Sequence, residues 1–240
     1  MAGEGDFSLG GAKIPQMKMS TRVARGLWHK FGPAHQLDGI TTYHSDGFRA
    51  TAEFKKAYAR SVQASGWDYS IPYRIHQALW CAKNALKVPG AFVELGTGRG
   101  FVMSGVLTLG INRPVHLFDT FLPSLPGKEA SPVYAVDFES VVANFAEWPR
   151  TALHRGDVFD TLPKAKLDAV AFLHVDLNCE EPEVFAVRHL WSSLSQGAVM
   201  LFDDYAYIGY EPQYAAINNL ADELGFHILS TPTGQGIVIK

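Results

Sequence analysis

The chain has 240 residues, of which 47% are hydrophobic and only 19% are charged. A chain of this length buries a sizeable core without disulfides, and its low charge content argues against extensive disorder. The 21 basic and 24 acidic residues give a formal net charge of −3, without the basic excess that binding to a phosphate backbone usually requires. We therefore expect one globular domain with a smaller appendage and no nucleic-acid partner.

Cysteine usage and hydropathy indicate the compartment. Cys81 and Cys179 form no Cys-x-x-Cys pair, and two cysteines cannot build a disulfide framework, so reduced thiols are expected. The sequence has no run of 18 apolar residues and no signal-peptide pattern at its N-terminus. These features predict a cytoplasmic protein without a membrane partner, and they leave self-association open.

The first part of the chain predicts an arm followed by helices. Residues 1–40 show little periodicity, and a helical pattern then runs from Asp46 to Gly66. A second helix is predicted from Ser70 to about Lys87, because Pro72 suits a first turn. We expect residues 1–69 to form an N-terminal arm and helical cap, and residues 70–240 to form the main domain.

From Ala91 onward, short apolar runs alternate with helical patterns. Strands are predicted at 91–95, 115–119, 152–154, 169–175 and 199–202, with helices at 100–109, 138–147, 181–194 and 211–224. This alternation favours a doubly wound, mostly parallel α/β sheet. The runs 227–230 and 237–240 are too close for a helix between them, so they predict a hairpin. The sheet should therefore have seven strands, with the C-terminal one reversed.

A glycine-rich turn follows the first of these strands. Gly96, Gly98 and Gly100 stand at offsets 0, 2 and 4, whereas the dinucleotide fingerprint has 0, 2 and 5. Glycines between a strand and a helix let the backbone approach a ligand closely. The alternative is a tight connection with no ligand, and the strand-to-helix context favours the binding site.

Carboxylates end the next two strands. Asp119 comes 23 positions after Gly96, where a carboxylate can accept the ribose hydroxyls of an adenosine. Asp157 ends the third strand and can read an adenine amino group. The alternative is that each is a helix cap or a turn residue. Because the C-terminal ends of parallel strands form the ligand edge of such sheets, we expect both to lie at one site.

Three further carboxylates, Asp176, Asp203 and Asp204, follow two later strands. Neighbouring carboxylates repel one another unless a cation or proton compensates, and oxygen ligands suit Mg²⁺, Ca²⁺ or Mn²⁺. The alternative is that one caps a helix and the others face water. His174 shares a strand face with Asp176, as either a buried hydrogen-bonded histidine or a base.

Several aromatic and basic residues flank these motifs. They are expected either to wall a substrate pocket or to pack the helical layer. The aromatic residues are Trp67, Tyr69, Tyr73, Tyr205, Tyr207 and Tyr210. Arg74 and Arg99 are candidate partners for a carboxylate of the ligand.

With these motifs in place, residues 70–240 resemble a class I S-adenosylmethionine-dependent methyltransferase. The chain is most similar to the macrocin O-methyltransferase family, which methylates sugar hydroxyls of macrolides and related natural products. The resemblance rests on the segments Val93–Gly100, Leu117–Phe121 with Leu125-Pro126, Gly156–Val158, His174–Asp176 and Phe202–Tyr205. Leu122-Pro123-Ser124 and Asn178 depart from the family pattern.

The resemblance implies a set of cofactor contacts. The set comprises Glu94, Gly96, Thr97, Gly98, Asp119, Thr120, Asp157, Val158 and Asp176. Glu94, Gly96 and Gly98 would line the methionine end of the cofactor. Asp119 would bind the ribose and Asp157 the adenine.

The resemblance also implies a metal and a reaction. Asp176, Asp203 and Asp204 match the Mg²⁺-binding carboxylates of the family. The expected activity is transfer of the sulfonium methyl of S-adenosylmethionine to an oxygen of a small polar metabolite or natural-product sugar. Catalysis would rest mostly on positioning, and Asp176 or His174 would take the proton. The alternatives are a nicotinamide-dependent oxidoreductase and a non-catalytic cofactor-binding protein.

Overall fold

The computed structural model describes residues 35–42, 44–122 and 136–240, with residues 8–9, 12–13, 23 and 27. The chain divides into two compact units, one of residues 1–36 and 41–45 and one of residues 37–40 and 46–240. In the first unit, Ser8–Leu9 and Ala12–Lys13 pair as antiparallel strands. The larger unit contains every element described below, and the expected domain boundary after residue 69 stays a prediction.

A seven-stranded sheet forms the centre of the larger unit. Its strands are β1 (Ala91–Leu95), β2 (Val115–Asp119), β3 (Thr151–Arg155), β4 (Val170–Val175), β5 (Leu194–Phe202), β6 (Leu229–Ser230) and β7 (Gly236–Ile239). The strand order is β6-β7-β5-β4-β1-β2-β3. Strands β1 to β5 pair in parallel, whereas β7 is antiparallel to both β5 and β6. The predicted doubly wound sheet with a reversed final strand is confirmed.

Helices cover both faces of this sheet. They are α1 (Ala52–Ser65), α2 (Pro72–Ala85), α3 (Phe101–Leu107), α4 (Phe138–Phe145), α5 (Val158–Thr161), α6 (Glu180–Leu190) and α7 (Glu211–Leu224). The expected start of the first helix at Asp46 is wrong. Residues Gly47–Ala50 form a separate 3₁₀ turn, and Thr51 caps α1 by accepting the Phe54 backbone N–H at 3.2 Å.

The fifth strand also differs from its prediction. It begins at Leu194 rather than 199, and α6 ends earlier, at Leu190. Leu194 packs in the same core as α6. Its apolar side chain therefore matches the hydrophobic period of the helix as well as that of the strand, and the sequence pattern does not separate the two. Gly197 lies within β5, where its N–H donates to the Lys240 carbonyl at 2.7 Å.

Two apolar cores lie on opposite faces of the sheet because successive strand residues point to opposite sides. Leu173 packs with α6 and α7, whereas Phe172 packs with α2, α3 and α4. Every residue of β4 is buried, as expected for a central parallel strand. The strand ends are thereby fixed along one edge. Within the described part of the chain, no helix has the length and apolar character that a membrane crossing requires.

Candidate functional site

A cavity of about 560 Å³ opens at the C-terminal ends of β1, β2, β4 and β5. Of the residues singled out in the sequence, its wall includes Gly96, Thr97, Gly98, Asp119, Thr120, Asp176, Asp203 and Asp204, with Arg74, Arg99, Tyr69, Tyr207 and Tyr210. The glycine turn and the three-aspartate cluster, expected at one site, thus line the same space.

The glycine turn passes between the loops that follow β2 and β4. Gly96 has φ +86°, and a Cβ there would lie 1.8 Å from the carbonyl oxygen of Asp176, so this position admits only glycine. Gly98 has φ +53°, and its Cβ would meet no protein atom within 4 Å. Because Gly98 lines the cavity, its backbone leaves space that a ligand can occupy.

Asp119 ties this turn to the end of β2. Its Oδ2 accepts the Gly98 backbone N–H at 2.7 Å, and its Oδ1 accepts the Phe121 backbone N–H at 2.7 Å. Thr120 donates its hydroxyl to Oδ1 at 3.3 Å. A carboxylate has about four acceptor positions, so Asp119 keeps acceptor capacity toward the cavity.

Asp157 and Val158 do not line the cavity. Asp157 is exposed and caps α5, because its Oδ1 accepts the Phe159 backbone N–H at 2.9 Å. Val158 packs in the core. Their turn still lies beside Asp119, whose carbonyl accepts the Gly156 N–H at 2.9 Å. The expected contact of Asp157 with adenine stays a prediction, and its side chain has the capping role expected as the alternative.

The three aspartates converge on one point. One carboxylate oxygen from each of Asp176, Asp203 and Asp204 lies within 4.8 Å of the others. Asp203 is buried and its two neighbours are half-buried. Burial, with the charge of Asp203, raises the pKa of Asp176 well above its usual range. Burial and Asp203 likewise raise the pKa of Asp204, against the guanidinium of Arg74.

Arg74 supplies the positive charge of this cluster. Its Nη1 donates to Asp203 Oδ2 at 2.6 Å and to Asp204 Oδ1 at 3.1 Å. Although burial raises the pKa of Asp203, His174 and Arg74 outweigh it and hold that pKa well below its usual range. In the sequence Arg74 was a candidate for binding a ligand carboxylate, whereas the structure pairs it with the protein's own carboxylates.

His174 is fully buried in β4 and does not line the cavity. Its Nδ1 lies 3.0 Å from Glu94 Oε1, and its Nε2 lies 3.8 Å from Asp203 Oδ1. Burial lowers the pKa of His174, but the two carboxylates outweigh burial and raise it to about 10. Because His174 does not line the cavity and its two ring nitrogens face protein carboxylates, this geometry does not favour the base role.

Glu94, expected at the methionine end of the cofactor, lies beneath the turn rather than on the cavity wall. Burial raises its pKa, and the hydrogen bond with His174 counters this effect. The ion pair of Glu94 and His174 matches the alternative expected for the histidine, a buried and hydrogen-bonded side chain.

Two polar residues that the sequence did not assign to the site support Asp176. Asn178 donates its Nδ2–H to Asp176 Oδ1 at 2.9 Å and accepts the Tyr210 hydroxyl at 2.7 Å. Glu183, fully buried in α6, accepts the Leu177 backbone N–H at 3.1 Å. Burial raises the pKa of Glu183 to about 8. Asn178 was visible as a departure from the family pattern, but Glu183 gave no sequence signal.

The flanking aromatics divide between the cavity and the protein surface or core. Tyr69, Tyr207 and Tyr210 line the cavity, whereas Trp67 is 65% exposed. Tyr205 is buried, with its hydroxyl donating to Asn218 at 2.9 Å. Tyr73 likewise does not line the cavity; its ring packs edge-on against Phe48 at 5.1 Å. Ile208, between the two cavity tyrosines of its loop, is 90% exposed.

Comparison with known proteins gives one family. The sequence model of the macrocin-O-methyltransferase (TylF) family matches residues 73–224, which is more than half of the chain. No curated protein matches the sequence significantly.

Solved structures show the same fold. The O-methyltransferase NovP superposes with a TM-score of 0.63 at 21% identity, over 78% of this chain and 96% of that one. CalS11, a TDP-rhamnose 3′-O-methyltransferase of calicheamicin biosynthesis, superposes with a TM-score of 0.54 at 16% identity, over 79% of this chain and 95% of that one. An O-methyltransferase from Bacillus cereus in complex with SAH superposes with a TM-score of 0.51 at 11% identity, over 91% of this chain and 97% of that one.

Proposed function

The chain belongs to the macrocin O-methyltransferase family and is an S-adenosylmethionine-dependent methyltransferase, and we propose that it methylates a hydroxyl of a natural-product sugar or similar polar metabolite with the help of a divalent cation. The observation that carries this proposal is a single cavity that joins the glycine turn and Asp119 to the three-aspartate cluster. A methyl donor held at one end thereby faces an acceptor held at the other.

The cavity fits the cofactor. Gly98 leaves open space, and Asp119 keeps acceptor capacity for ribose hydroxyls beside it. S-adenosylmethionine, when bound, would supply a methyl group whose bond to the sulfonium sulfur breaks as an acceptor oxygen bonds to the methyl carbon, with S-adenosylhomocysteine as the leaving thioether. These residues fix the donor relative to the acceptor, and holding two reactants in such a geometry lowers the barrier to their reaction.

The aspartate cluster fits a hard cation. Asp176, Asp203 and Asp204 offer only oxygen donors, which Mg²⁺ prefers. Mg²⁺, when bound, would orient neighbouring acceptor oxygens and lower the pKa of the acceptor hydroxyl. We assign proton removal to Asp176, because its carboxylate lines the cavity. We assign His174 to holding Glu94 and Asp203 in place.

The sugar acceptor is supported by the cavity wall and by CalS11, which acts on TDP-rhamnose. Tyr69, Tyr207 and Tyr210 present aromatic surface beside the carboxylates. Aromatic rings with polar groups at their edge suit a sugar, which has apolar faces and hydroxyls on its rim.

The cofactor site is tested by calorimetric titration with S-adenosylhomocysteine. We expect the wild-type chain to bind it and Asp119→Ala to bind about tenfold or more weakly, because charged hydrogen bonds to the ribose are lost. The matched control is Asp160→Ala, an exposed carboxylate on α5, which should bind as the wild type does. A folded wild-type chain that shows no binding would overturn the proposal.

The acceptor and the cation are tested by methyl transfer to a panel of hydroxylated sugars and small metabolites. We expect transfer to a sugar hydroxyl, loss of activity in chelator, and recovery with added Mg²⁺. Full activity in chelator would remove the cation from the proposal. Transfer to none of the sugars would remove the acceptor class.

A further inference from the structure

A carboxylate outside the expected methyltransferase core reaches the aspartate cluster. Asp38 lies in a turn with φ +56°, and its side chain is only 2% exposed. Its Oδ2 accepts the backbone N–H of Arg74 at 2.8 Å, and its Oδ1 lies 3.4 Å from Arg74 Nε. Asp38 therefore hydrogen-bonds to the backbone of Arg74 and forms an ion pair with its guanidinium.

The Arg74 guanidinium is enclosed on its remaining sides. Nη1 donates to Asp203 and Asp204, and Nη2 donates to the Thr233 carbonyl at 3.3 Å. Its carbon lies 5.0 Å from the centroid of the Tyr207 ring. The buried guanidinium has ion pairs at Nε and Nη1 and a hydrogen bond at Nη2, so its rotation would break these contacts.

Hydrogen bonds orient the carboxylates that line the cavity. Arg74 binds one oxygen of Asp203 and one of Asp204, and Asn178 binds one oxygen of Asp176. Neighbours of this kind orient metal ligands, and their removal weakens metal binding although they never touch the metal.

We propose that Asp38 is a positioning residue which, through Arg74, orients Asp203 and Asp204 for a divalent cation. This inference rests on the proposed cation site and extends it to a residue that lies before the expected methyltransferase core. Asp38 holds the Nε edge of the guanidinium, so that Nη1 faces both aspartates. Without Asp38 the side chain gains freedom, and Asp203 and Asp204 lose their common orientation.

The experiment compares Asp38→Asn and Asp38→Ala with the wild-type chain, with Mn²⁺ as the probe. Mn²⁺ binding is followed by electron paramagnetic resonance and S-adenosylhomocysteine binding by calorimetry. We expect Asp38→Ala to weaken Mn²⁺ binding by about tenfold or more and to leave S-adenosylhomocysteine binding unchanged. The Mn²⁺ affinity of Asp38→Asn should lie between those of Asp38→Ala and the wild type, because the asparagine oxygen still accepts the backbone N–H of Arg74.

Steady-state kinetics give a second measurement. We expect kcat to fall in Asp38→Ala while the KM for S-adenosylmethionine stays constant. Asp46→Asn, which removes the half-buried partner of Arg49 in an exposed ion pair, is the matched control and should leave both measurements unchanged. Folding of each variant is checked by circular dichroism, and Asp38→Asn carries the test if Asp38→Ala does not fold.

Three outcomes would overturn the inference. Unchanged Mn²⁺ affinity in a folded Asp38 variant would show that the contact of Asp38 with Arg74 has no effect on cation binding. Tighter Mn²⁺ binding would show that Arg74 competes with the cation instead of orienting its ligands. Absence of Mn²⁺ binding to the wild-type chain would remove the cation site, whereas S-adenosylhomocysteine binding would still decide the cofactor site separately.

Discussion

At the scale of single residues, the chemistry of the site depends on which neighbours each ionisable group has. His174 and Asp176 lie two positions apart, yet His174 is enclosed by Glu94 and Asp203 and Asp176 lines the cavity. Burial acts on both, but the histidine keeps its proton because two carboxylates surround it. Burial and the charge of Asp203 raise the pKa of Asp176, against the charge of His174.

Glu183 makes the stability of the fold depend on pH. Its pKa is raised from 4.5 to about 8, so between these values the folded chain keeps a proton that the unfolded chain has lost. The free energy of unfolding must therefore decrease as pH rises through this interval. Glu183→Gln keeps an acceptor for the Leu177 N–H and removes the charge. We expect its free energy of unfolding to exceed that of the wild type by about 4 kcal/mol at pH 8.5 and to equal it near pH 4.

Urea unfolding in chelator at a series of pH values measures this difference. Glu180→Gln, an exposed carboxyl of the same helix, is the control and should follow the wild type at every pH. If the curves of Glu183→Gln and the wild type run parallel, Glu183 is ionised in the folded chain and the expected linkage is wrong.

At the scale of elements, the strand ends and the glycine turn were predictable because they have local signals. An apolar run that ends at a glycine or a carboxylate indicates the end of a strand, whichever neighbour that strand pairs with. The contacts that complete the site have no such signal, since Arg74 and Asp203 are 129 positions apart and Asp38 precedes the sheet. Helix starts were misplaced where a cap decided them, as at Thr51.

The turn after β1 gives a matched pair of substitutions. Gly96→Ala places a Cβ against the Asp176 carbonyl, so we expect it to destabilise the fold by more than about 4 kcal/mol or to prevent folding. Gly98→Ala should destabilise the fold only by its backbone strain of about 1 kcal/mol, because its Cβ points into open space.

Thermal unfolding and S-adenosylhomocysteine titration separate these two positions. Gly98→Ala should fold and bind the ligand more weakly, since its methyl group occupies space that the ligand needs. Stable folding of Gly96→Ala would show that the β1 turn can move away from the loop after β4.

At the scale of the whole molecule, the last strand joins the edge hairpin to the rest of the sheet, and the turn before it completes the site. β7 lies against β5, and the turn before it brings Gln235 to Asp203, with its Nε2–H donating at 2.7 Å. The same turn provides the Thr233 carbonyl for Arg74. Loss of the β6–β7 hairpin, which forms this edge of the sheet, should therefore disturb the cavity as well as the core.

Neighbouring residues of β7 test this cooperativity. Val238 is 1% exposed and Ile239 is 60% exposed. Val238→Ser should lower the free energy of unfolding by about 3 kcal/mol, through a lost apolar contact and a buried hydroxyl, and Ile239→Ser should change it by less than about 0.5 kcal/mol. Tryptophan fluorescence and far-ultraviolet circular dichroism should give one coincident transition in each. Separate transitions would show that the sheet edge unfolds independently.

The loop that carries Tyr207, Ile208 and Tyr210 has a consequence for protein engineering. It contributes side chains to the cavity wall, while Ile208 packs against almost nothing. Exposed positions tolerate substitution with little change in stability, and the sheet beneath is fixed by strands that this loop does not interrupt. A combinatorial library confined to Tyr207 and Ile208 therefore varies the cavity wall and the Tyr207 contact with Arg74 on an unchanged sheet, and its inactive members should still fold.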